Sequence, residues 1–245
     1  MFSIFKSKSP FLKDLLVGYT DIHSHILFGI DDGAESKRDS EFLMNSFVDF
    51  GFKNAIATPH TIKDVWDNTS EGITNKYKEV QQILPELSSK LNLRAASEYL
   101  MDDAFMQLFQ SEKLLTLKDD YVLVEMSYVN PPIQLYDILF ELQMAGYKPV
   151  LAHPERYMFY HFDFKQYEKL KTAGWMFQLN LLSTVGYYGP NFAKVADRLL
   201  SEGMIDFVGT DAHHEKHIKA FESRVLVKNL NLLKEAIKNN SFFEK

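Results

Sequence analysis

Tyr121-Val122-Leu123-Val124-Glu125 is a run of four β-forming residues closed by a carboxylate, with no apolar–polar alternation along it. A strand with one face in water alternates apolar and polar side chains. A run that is apolar at every position fits a strand covered on both faces, as in a parallel sheet flanked by helices. A glutamate ending such a run is costly to bury unless it is paired or coordinated. The run extends over residues 121–126, and six more short runs resemble it, at residues 19–23, 54–58, 93–98, 149–152, 176–180 and 206–209.

Helical patterns lie between these runs. Ser36-Lys37-Arg38-Asp39 has the form of a capping box ahead of Phe42, Leu43, Phe47 and Phe50, and Gly51 ends that helix. Tyr77, Val80, Leu84, Leu87 and Leu91 follow helical spacing, with Pro85 expected to kink or split the segment. Asn130-Pro131-Pro132 is expected to open a helix carrying Leu135, Ile138, Leu139 and Leu142, closed by Gly146. Residues 192–200 and 225–237 complete the helical set. Seven strands alternating with helices imply parallel strands joined by right-handed crossovers. Closed on itself, that is an α/β fold of the distorted (β/α)7, TIM-like barrel kind. The length of 245 residues suits one such domain over 1–245, with residues 1–18 as an N-terminal arm.

The polar residues fall in one place on this map. His23 and His25 form an H-x-H at the end of the first run, and residues i and i+2 of a strand share a face. Asp31 and Asp32 follow in the next loop, and His60 follows the second run in Thr58-Pro59-His60. Glu98 and Glu125 end the third and fourth runs, and His153 follows the fifth in His153-Pro154-Glu155-Arg156. Asp211 and His213 follow the seventh; the sixth ends in Asn180, a poor metal ligand. Six of seven strands thus carry a candidate ligand at the C-terminal end, the face on which barrel enzymes build their sites. A lone histidine or glutamate at a strand end is usually structural. Five of the eight histidines at such positions, with two glutamates ending apolar strands, favour a metal cluster. His161, His214 and His217 are the remaining histidines; His214 and His217, near the last motif, are within reach of substrate but are expected as solvated loop residues.

Composition narrows the chemistry. The chain has no cysteine, which excludes disulfides, thiolate ligands and a cysteinyl nucleophile. Nitrogen and oxygen donors suit Mn, Mg, Fe or Zn. The net charge of −6 without blocks of like charge gives no nucleic-acid surface. No apolar run approaches the roughly 18 residues of a membrane span. The leader MFSIFKSKSPFLKDLL is broken by lysines and a proline, so a cytoplasmic protein with a frayed or packed arm is expected.

In order and spacing, Asp21-Ile22-His23-Ser24-His25, Gly29-Ile30-Asp31-Asp32-Gly33-Ala34, Thr58-Pro59-His60, Glu98, Glu125, His153-Pro154-Glu155-Arg156-Tyr157 and Thr210-Asp211-Ala212-His213 resemble the PHP (polymerase and histidinol phosphatase) superfamily. They are most similar to its bacterial manganese-dependent protein tyrosine phosphatases of capsular and exopolysaccharide loci. The resemblance implies two or three divalent ions, manganese first among them. His23, His25, Glu98 and Asp211 would hold one ion. Glu98 would bridge to a second held with Glu125 and His153, and Asp32, His60 and His213 would hold the third. Asp31 would support the ligands rather than bind. Arg156, with Asp32 and His60, would take part in catalysis. The family often carries an arginine soon after the last D-x-H; here Lys216 or Lys219 would have to replace it.

That site implies hydrolysis of a phosphate monoester, with a water shared by two ions losing its proton near neutral pH and attacking in line. Asp32, Glu98, Glu125 and Asp211 bring −4 and three divalent ions +6, leaving a centre of about +2 that attracts phosphate. Tyr128, Tyr157, Phe159 and Tyr160 are candidates for an aromatic wall around a tyrosyl ring, although aromatics in barrel loops are more often packing. The expected substrate is a phosphotyrosine protein, a bacterial tyrosine kinase of polysaccharide export. The competing readings are a phosphatase of a small ester of the histidinol-phosphate kind and a non-catalytic, metal-bound phosphotyrosine-binding regulator. An amidohydrolase ranks below these, because Glu98 and Glu125 stand where that class uses a carboxylated lysine and further histidines.

Overall fold

The structure, a computed structural model, describes residues 9–244. Residues 1–8 of the expected N-terminal arm lie outside the described residues. Nine strands build the expected seven positions: β1 (Thr20–Asp21), β2 (Asn54–Ala57), β3 (His60–Thr61), β4 (Arg94–Ala95), β5 (Glu98–Leu100), β6 (Tyr121–Glu125), β7 (Lys148–Ala152), β8 (Met176–Asn180) and β9 (Phe207–Gly209). Two passages are split. Thr58-Pro59 separates β2 from β3, where proline has no N–H for the ladder. Ala96-Ser97 separates β4 from β5. The pairings are parallel and run β1–β2–β4 and β3–β5–β6–β7–β8–β9.

Between the strands run α1 (Lys37–Asp49), α2 (Ser70–Ile83), α3 (Pro85–Lys90), α4 (Asp103–Ser111), α5 (Leu135–Met144), α6 (Lys165–Thr172), α7 (Leu181–Thr184), α8 (Pro190–Ser201), α9 (Glu215–Ala220) and α10 (Leu230–Asn239). The capping box forms as expected: Ser36 accepts from the Asp39 N–H, and Asp39 accepts from the Ser36 N–H. Pro85 separates α2 from α3. Asn130-Pro131-Pro132 does not open a helix; α5 starts at Leu135, because a residue before proline is pushed out of the helical region. Residues 225–229 are likewise not helical. Val225 and Val227 are buried there, and Asp197 accepts the Lys228 and Asn229 N–H groups just before α10. The short helices α4, α6, α7 and α9 are not among the expected helical stretches, although Phe105, Leu108 and Phe109 give α4 helical spacing.

Side-chain direction sorts the core. Leu123 and Val150 point inward with Ile22, Ile56, Ala96, Ala152, Phe207 and Phe243, filling the ring as packed core rather than pore. Val122, Val124 and Leu151 point outward under α4, α5 and α6. Two-residue periodicity then puts Glu125 and Glu98 on the inward side, directly above Leu123 and Ala96.

The seam between β9 and β1 is built differently from the others. A single parallel bridge, Ser24–Ala212, joins these edges, with Asp211 N–H to His23 C=O at 2.7 Å and His25 N–H to Ala212 C=O at 3.0 Å. Below it, side chains replace the ladder. Asp21 accepts from the Thr210 N–H at 2.9 Å and the Thr210 hydroxyl at 2.7 Å. Burial pushes the Asp21 carboxyl up to about 6, against the Thr210 hydrogen bonds. Asn240, fully buried, accepts from the Val208 N–H and donates to the Thr20 and Val208 carbonyls. The described part of the arm packs rather than frays: Leu12 and Leu16 are fully buried, and Leu12 N–H donates to Ser223 C=O at 3.0 Å.

Asn240→Ala leaves the Thr20 carbonyl and the Val208 N–H at the seam without this partner, while the Val208 carbonyl keeps the Tyr19 hydroxyl, a loss of about 2–3 kcal/mol. Urea denaturation should show it as a lower midpoint with unchanged slope; a loss below about 0.5 kcal/mol would mean that Asn240 does not hold the seam.

Candidate metal centre

The nine residues expected as ligands converge at the C-terminal ends of the strands. Glu98 stands at the middle. Its carboxylate lies 3.1 Å from His23 Nε2, 3.4 Å from His25 Nε2, 3.2 Å from His60 Nδ1 and 3.1 Å from His153 Nε2. Asp211 Oδ1 faces His23 and His25 Nε2 at 3.3 and 3.4 Å. Asp32 Oδ1 faces His60 and His213 Nε2, both at 3.5 Å. Glu125 lies 3.1 Å from His60 Nδ1 and 3.8 Å from His153 Nε2. The donor atoms gather as His25, Asp32, His60, His213; as His23, Glu98, His153; as His23, His25, Asp211; and as His60, Glu98, Glu125. His60 therefore reaches two of these groups.

Neighbouring hydrogen bonds decide what this cluster can hold. His23 Nδ1 lies 2.7 Å from Gln178 Oε1, whose amide is oriented by its own NH2 donating to Leu179 C=O at 2.7 Å. His25 Nδ1 lies 2.7 Å from Asp31 Oδ2. Both oxygens are acceptors, so each Nδ1 carries the hydrogen, and the neutral rings turn Nε2 lone pairs inward. Those Nε2 atoms sit 3.2 Å apart and face carboxylate oxygens, which are acceptors too. His60 Nδ1 is buried close to two carboxylates yet makes no hydrogen bond. Acceptor facing acceptor in a buried site requires a positive charge between them. Metal–ligand bonds of about 2.1 Å at right angles place neighbouring donors about 3.0 Å apart, close to the spacing here. The donor set fits divalent cations.

Without a cation, protons take that place. Burial disfavours charge on His23, but Glu98 and Asp211 outweigh it and raise its pKa to about 9. Burial also opposes charge on His25, which Asp31 beside it raises well above the ordinary histidine value. Glu98 and Asp211 are held well below the carboxylate range by the surrounding histidines, against the effect of burial. Asp31 is lowered to about 2, its pairing with His25 overcoming burial.

His153 and Asp211 both adopt left-handed backbone, with φ of 37° and 50°. Such a conformation costs a non-glycine residue about 1–3 kcal/mol and collects at functional sites. Asp211 is further clamped. Its Oδ2 accepts from Arg156 Nη1 at 2.7 Å and Asn180 Nδ2 at 2.8 Å, leaving Oδ1 to the histidines. Arg156 lies between the rings of Tyr128 and Tyr188, 4.7 and 4.2 Å from their centroids. It lines a cleft of about 560 Å³ above the cluster, and among the described residues it is the only arginine or lysine there.

Several expectations change. Of the four aromatic candidates, Tyr128 lines the cleft. Tyr157 lies beneath it, accepting from the Met126 N–H and donating to Ala152 C=O, and Tyr160 is buried in the core. Phe159 packs edge-on against Tyr160, and the cleft's other aromatic walls are Trp66 and Tyr188. His217 is not solvated: it is buried at the edge of the cleft, and burial lowers its pKa to about 3. His214 is exposed, as expected, and His161 lies 2.8 Å from Glu155 C=O. Lys219 pairs with Glu215 at 2.8 Å on the surface, and neither it nor Lys216 lines the cleft. Gln178 went unread. Its signal was a polar residue at an inward position of an apolar strand, the sign that marked Glu125.

This fold and cluster define a barrel-type protein of the metal-dependent hydrolase kind. The chain belongs to the family described as capsular polysaccharide synthesis, CpsB/CapC, whose profile matches residues 19–224. It is 30% identical over 197 residues to tyrosine-protein phosphatase YwqE of Bacillus subtilis, covering 80% of this chain and 78% of that one. It is 29% identical over 201 residues to tyrosine-protein phosphatase CpsB of Streptococcus pneumoniae, covering 79% and 82%. A solved structure from work on those two proteins, described there as metal-dependent tyrosine phosphatases, superposes with a TM-score of 0.77 at 28% identity, covering 88% of this chain and 86% of that one. A lactonase from Listeria monocytogenes shares the fold alone, with a TM-score of 0.51, 12% identity and coverage of 95% and 97%.

Because His23 keeps its proton up to about pH 9 in the metal-free protein, a cation must displace it. Metal uptake at pH 7 should release protons, and affinity should rise with pH until that value is passed. Calorimetry of Mn²⁺ binding in buffers of different ionisation enthalpy measures the release. No proton exchange between about pH 6 and 8 would mean that these histidines are not ligands.

Proposed function

We propose that this chain is a metal-dependent protein-tyrosine-phosphatase. In this reading His23, His25, Asp32, His60, Glu98, Glu125, His153, Asp211 and His213 hold two or three divalent ions, with manganese as the working metal. The observation that carries it is the set of four imidazole nitrogens within 3.4 Å of the buried Glu98 carboxylate, two of the rings fixed with lone pairs inward. When bound, divalent ions supply charge relief for the phosphoryl oxygens and an activated water.

The chain's own residues do the rest. Arg156 points a planar fork into the cleft while Asp211 and two tyrosine rings hold it in place, which suits bidentate contact with a phosphate. Tyr128, Tyr188 and Trp66 give faces on which an aryl ring can stack. The phenol of tyrosine, with a pKa of about 10, leaves more easily than an alkyl alcohol, so the reaction makes little demand for a dedicated acid. Asp32, half-exposed, and His60, stacked on the Trp66 ring, both line the cleft and in this reading serve the leaving oxygen. The relatives named above, and the family's link to capsular polysaccharide, support a tyrosine kinase of polysaccharide synthesis as the substrate. One domain carries the reaction, and we place it in the cytoplasm beside that kinase. Among the described residues no helix is long and apolar enough to cross a membrane.

The test is release of phosphate from a phosphotyrosine peptide by the chelated and Mn²⁺-reloaded protein, with phosphoserine peptide and histidinol phosphate alongside. The reloaded protein should act on phosphotyrosine, and Arg156→Ala should lower kcat/KM by about 10²-fold. Preference for the small ester would overturn the substrate, and phosphotyrosine bound but not turned over would leave a binding protein.

A further inference from the structure

A second cavity of about 240 Å³ opens beside the catalytic cleft, and Trp66 and Leu100 line both. Its floor is apolar: Tyr99 and Phe105 are buried, and Leu108 is half-buried beside Ala104 on α4. The partition is a short hairpin. Ile62 and Trp66 exchange backbone hydrogen bonds of 3.1 and 2.9 Å, and the chain turns between them through Asp64 at φ 64°. Asn68 ties the hairpin base to the His60 and Ile30 carbonyls, both at 2.8 Å. The Trp66 indole lies flat against the His60 imidazole, with centroids 5.0 Å apart and planes at 14°. Catalytic histidine and partition are therefore one stack.

We propose, resting on the phosphatase reading, that this cavity is a specificity subsite for an apolar side chain two residues from the phosphotyrosine of the substrate. Three features carry the inference. The size suits one side chain, since sites for whole small ligands begin at about 300 Å³. The polar groups around the cavity are already engaged: Lys63 with Asp67 at 3.1 Å, Asp102 with the Phe105 N–H at 2.7 Å, and Thr61 with Ser97 at 2.7 Å. The floor of Tyr99, Phe105 and Leu108 offers a charged side chain no partner of opposite charge, so the depth of the cavity selects apolar ones. The cavity and the cleft open side by side and share the Trp66 and Leu100 walls. Alternate side chains of an extended chain share one face, so side chains entering two openings on the same side are two residues apart.

The test uses Mn²⁺-loaded protein and phosphotyrosine peptides carrying Gly, Leu, Phe or Asp at each of the two positions on either side. Leu or Phe two residues away, on one side, should raise kcat/KM about tenfold over Gly, and Asp should not. Ala104→Phe, which fills the cavity, and Leu108→Glu, which charges its floor, should each erase that preference. Both should leave hydrolysis of p-nitrophenyl phosphate unchanged; Leu108→Glu, at a half-buried side chain packed against the core, lowers the melting temperature, and Ala104→Phe tests the cavity without charging it. Equal rates across the peptides, or a preference confined to adjacent positions, would overturn the subsite while leaving the phosphatase standing. So would a preference that survives in both variants. Absence of turnover with p-nitrophenyl phosphate and every peptide would overturn the phosphatase reading and the subsite with it.

Discussion

Glu98 meets four imidazole nitrogens within 3.4 Å, and the hydrogen bonds behind His23 and His25 turn their lone pairs toward it. Lone pairs and carboxylates packed together with little access to water repel unless positive charge lies among them. The rest of the structure serves that arrangement. Gln178 and Asp31 set the tautomers, while Asn180 and Arg156 take one oxygen of Asp211 and leave the other to the histidines. Left-handed backbone at His153 and Asp211 turns their side chains over the ring. The fold's stability is spent here, at strand ends that tolerate strain because packed strands lie directly beneath them.

The architecture explains why nine residues spread from position 23 to position 213 meet at one point. Parallel strands deliver their C-terminal ends to one face, and two-residue periodicity sends Glu98 and Glu125 inward above Ala96 and Leu123. The seam between β9 and β1 is the exception, and it carries His23, His25, Asp211 and His213. One bridge at Ser24–Ala212, with Asp21–Thr210 and Asn240 beneath it, holds His23-Ser24-His25 and Asp211-Ala212-His213 side by side. His25 and His213 stack there with centroids 3.9 Å apart.

Much of this could be read from the chain because buried parallel strands leave a plain signal. The run 176–180 matches its strand residue for residue, and the Ser36 capping box forms with the partners expected. The positions of the candidate ligands followed from strand ends alone. What could not be read depends on long-range contact. Arg156 is three residues from His153, but its pairing with Asp211 crosses the ring. Trp66 sits on a hairpin whose sequence, Ile62-Lys63-Asp64-Val65-Trp66, carries no glycine to mark the turn. The aromatic run around Tyr157 is mostly core, the commoner role for loop aromatics, but which of its members would reach the cleft could not be read, since side-chain direction in a turn of 3-10 helix is set by packing rather than by spacing.

The account rests on cations at the Glu98 cluster, and anomalous diffraction from Mn²⁺-loaded crystals tests it most directly. It predicts peaks bonded to Glu98 and the surrounding histidines and carboxylates at about 2.0–2.3 Å, with Gln178 and Asp31 still on the Nδ1 atoms of His23 and His25. An ordered cluster with no peak, in crystals of protein that hydrolyses phosphotyrosine, would contradict it.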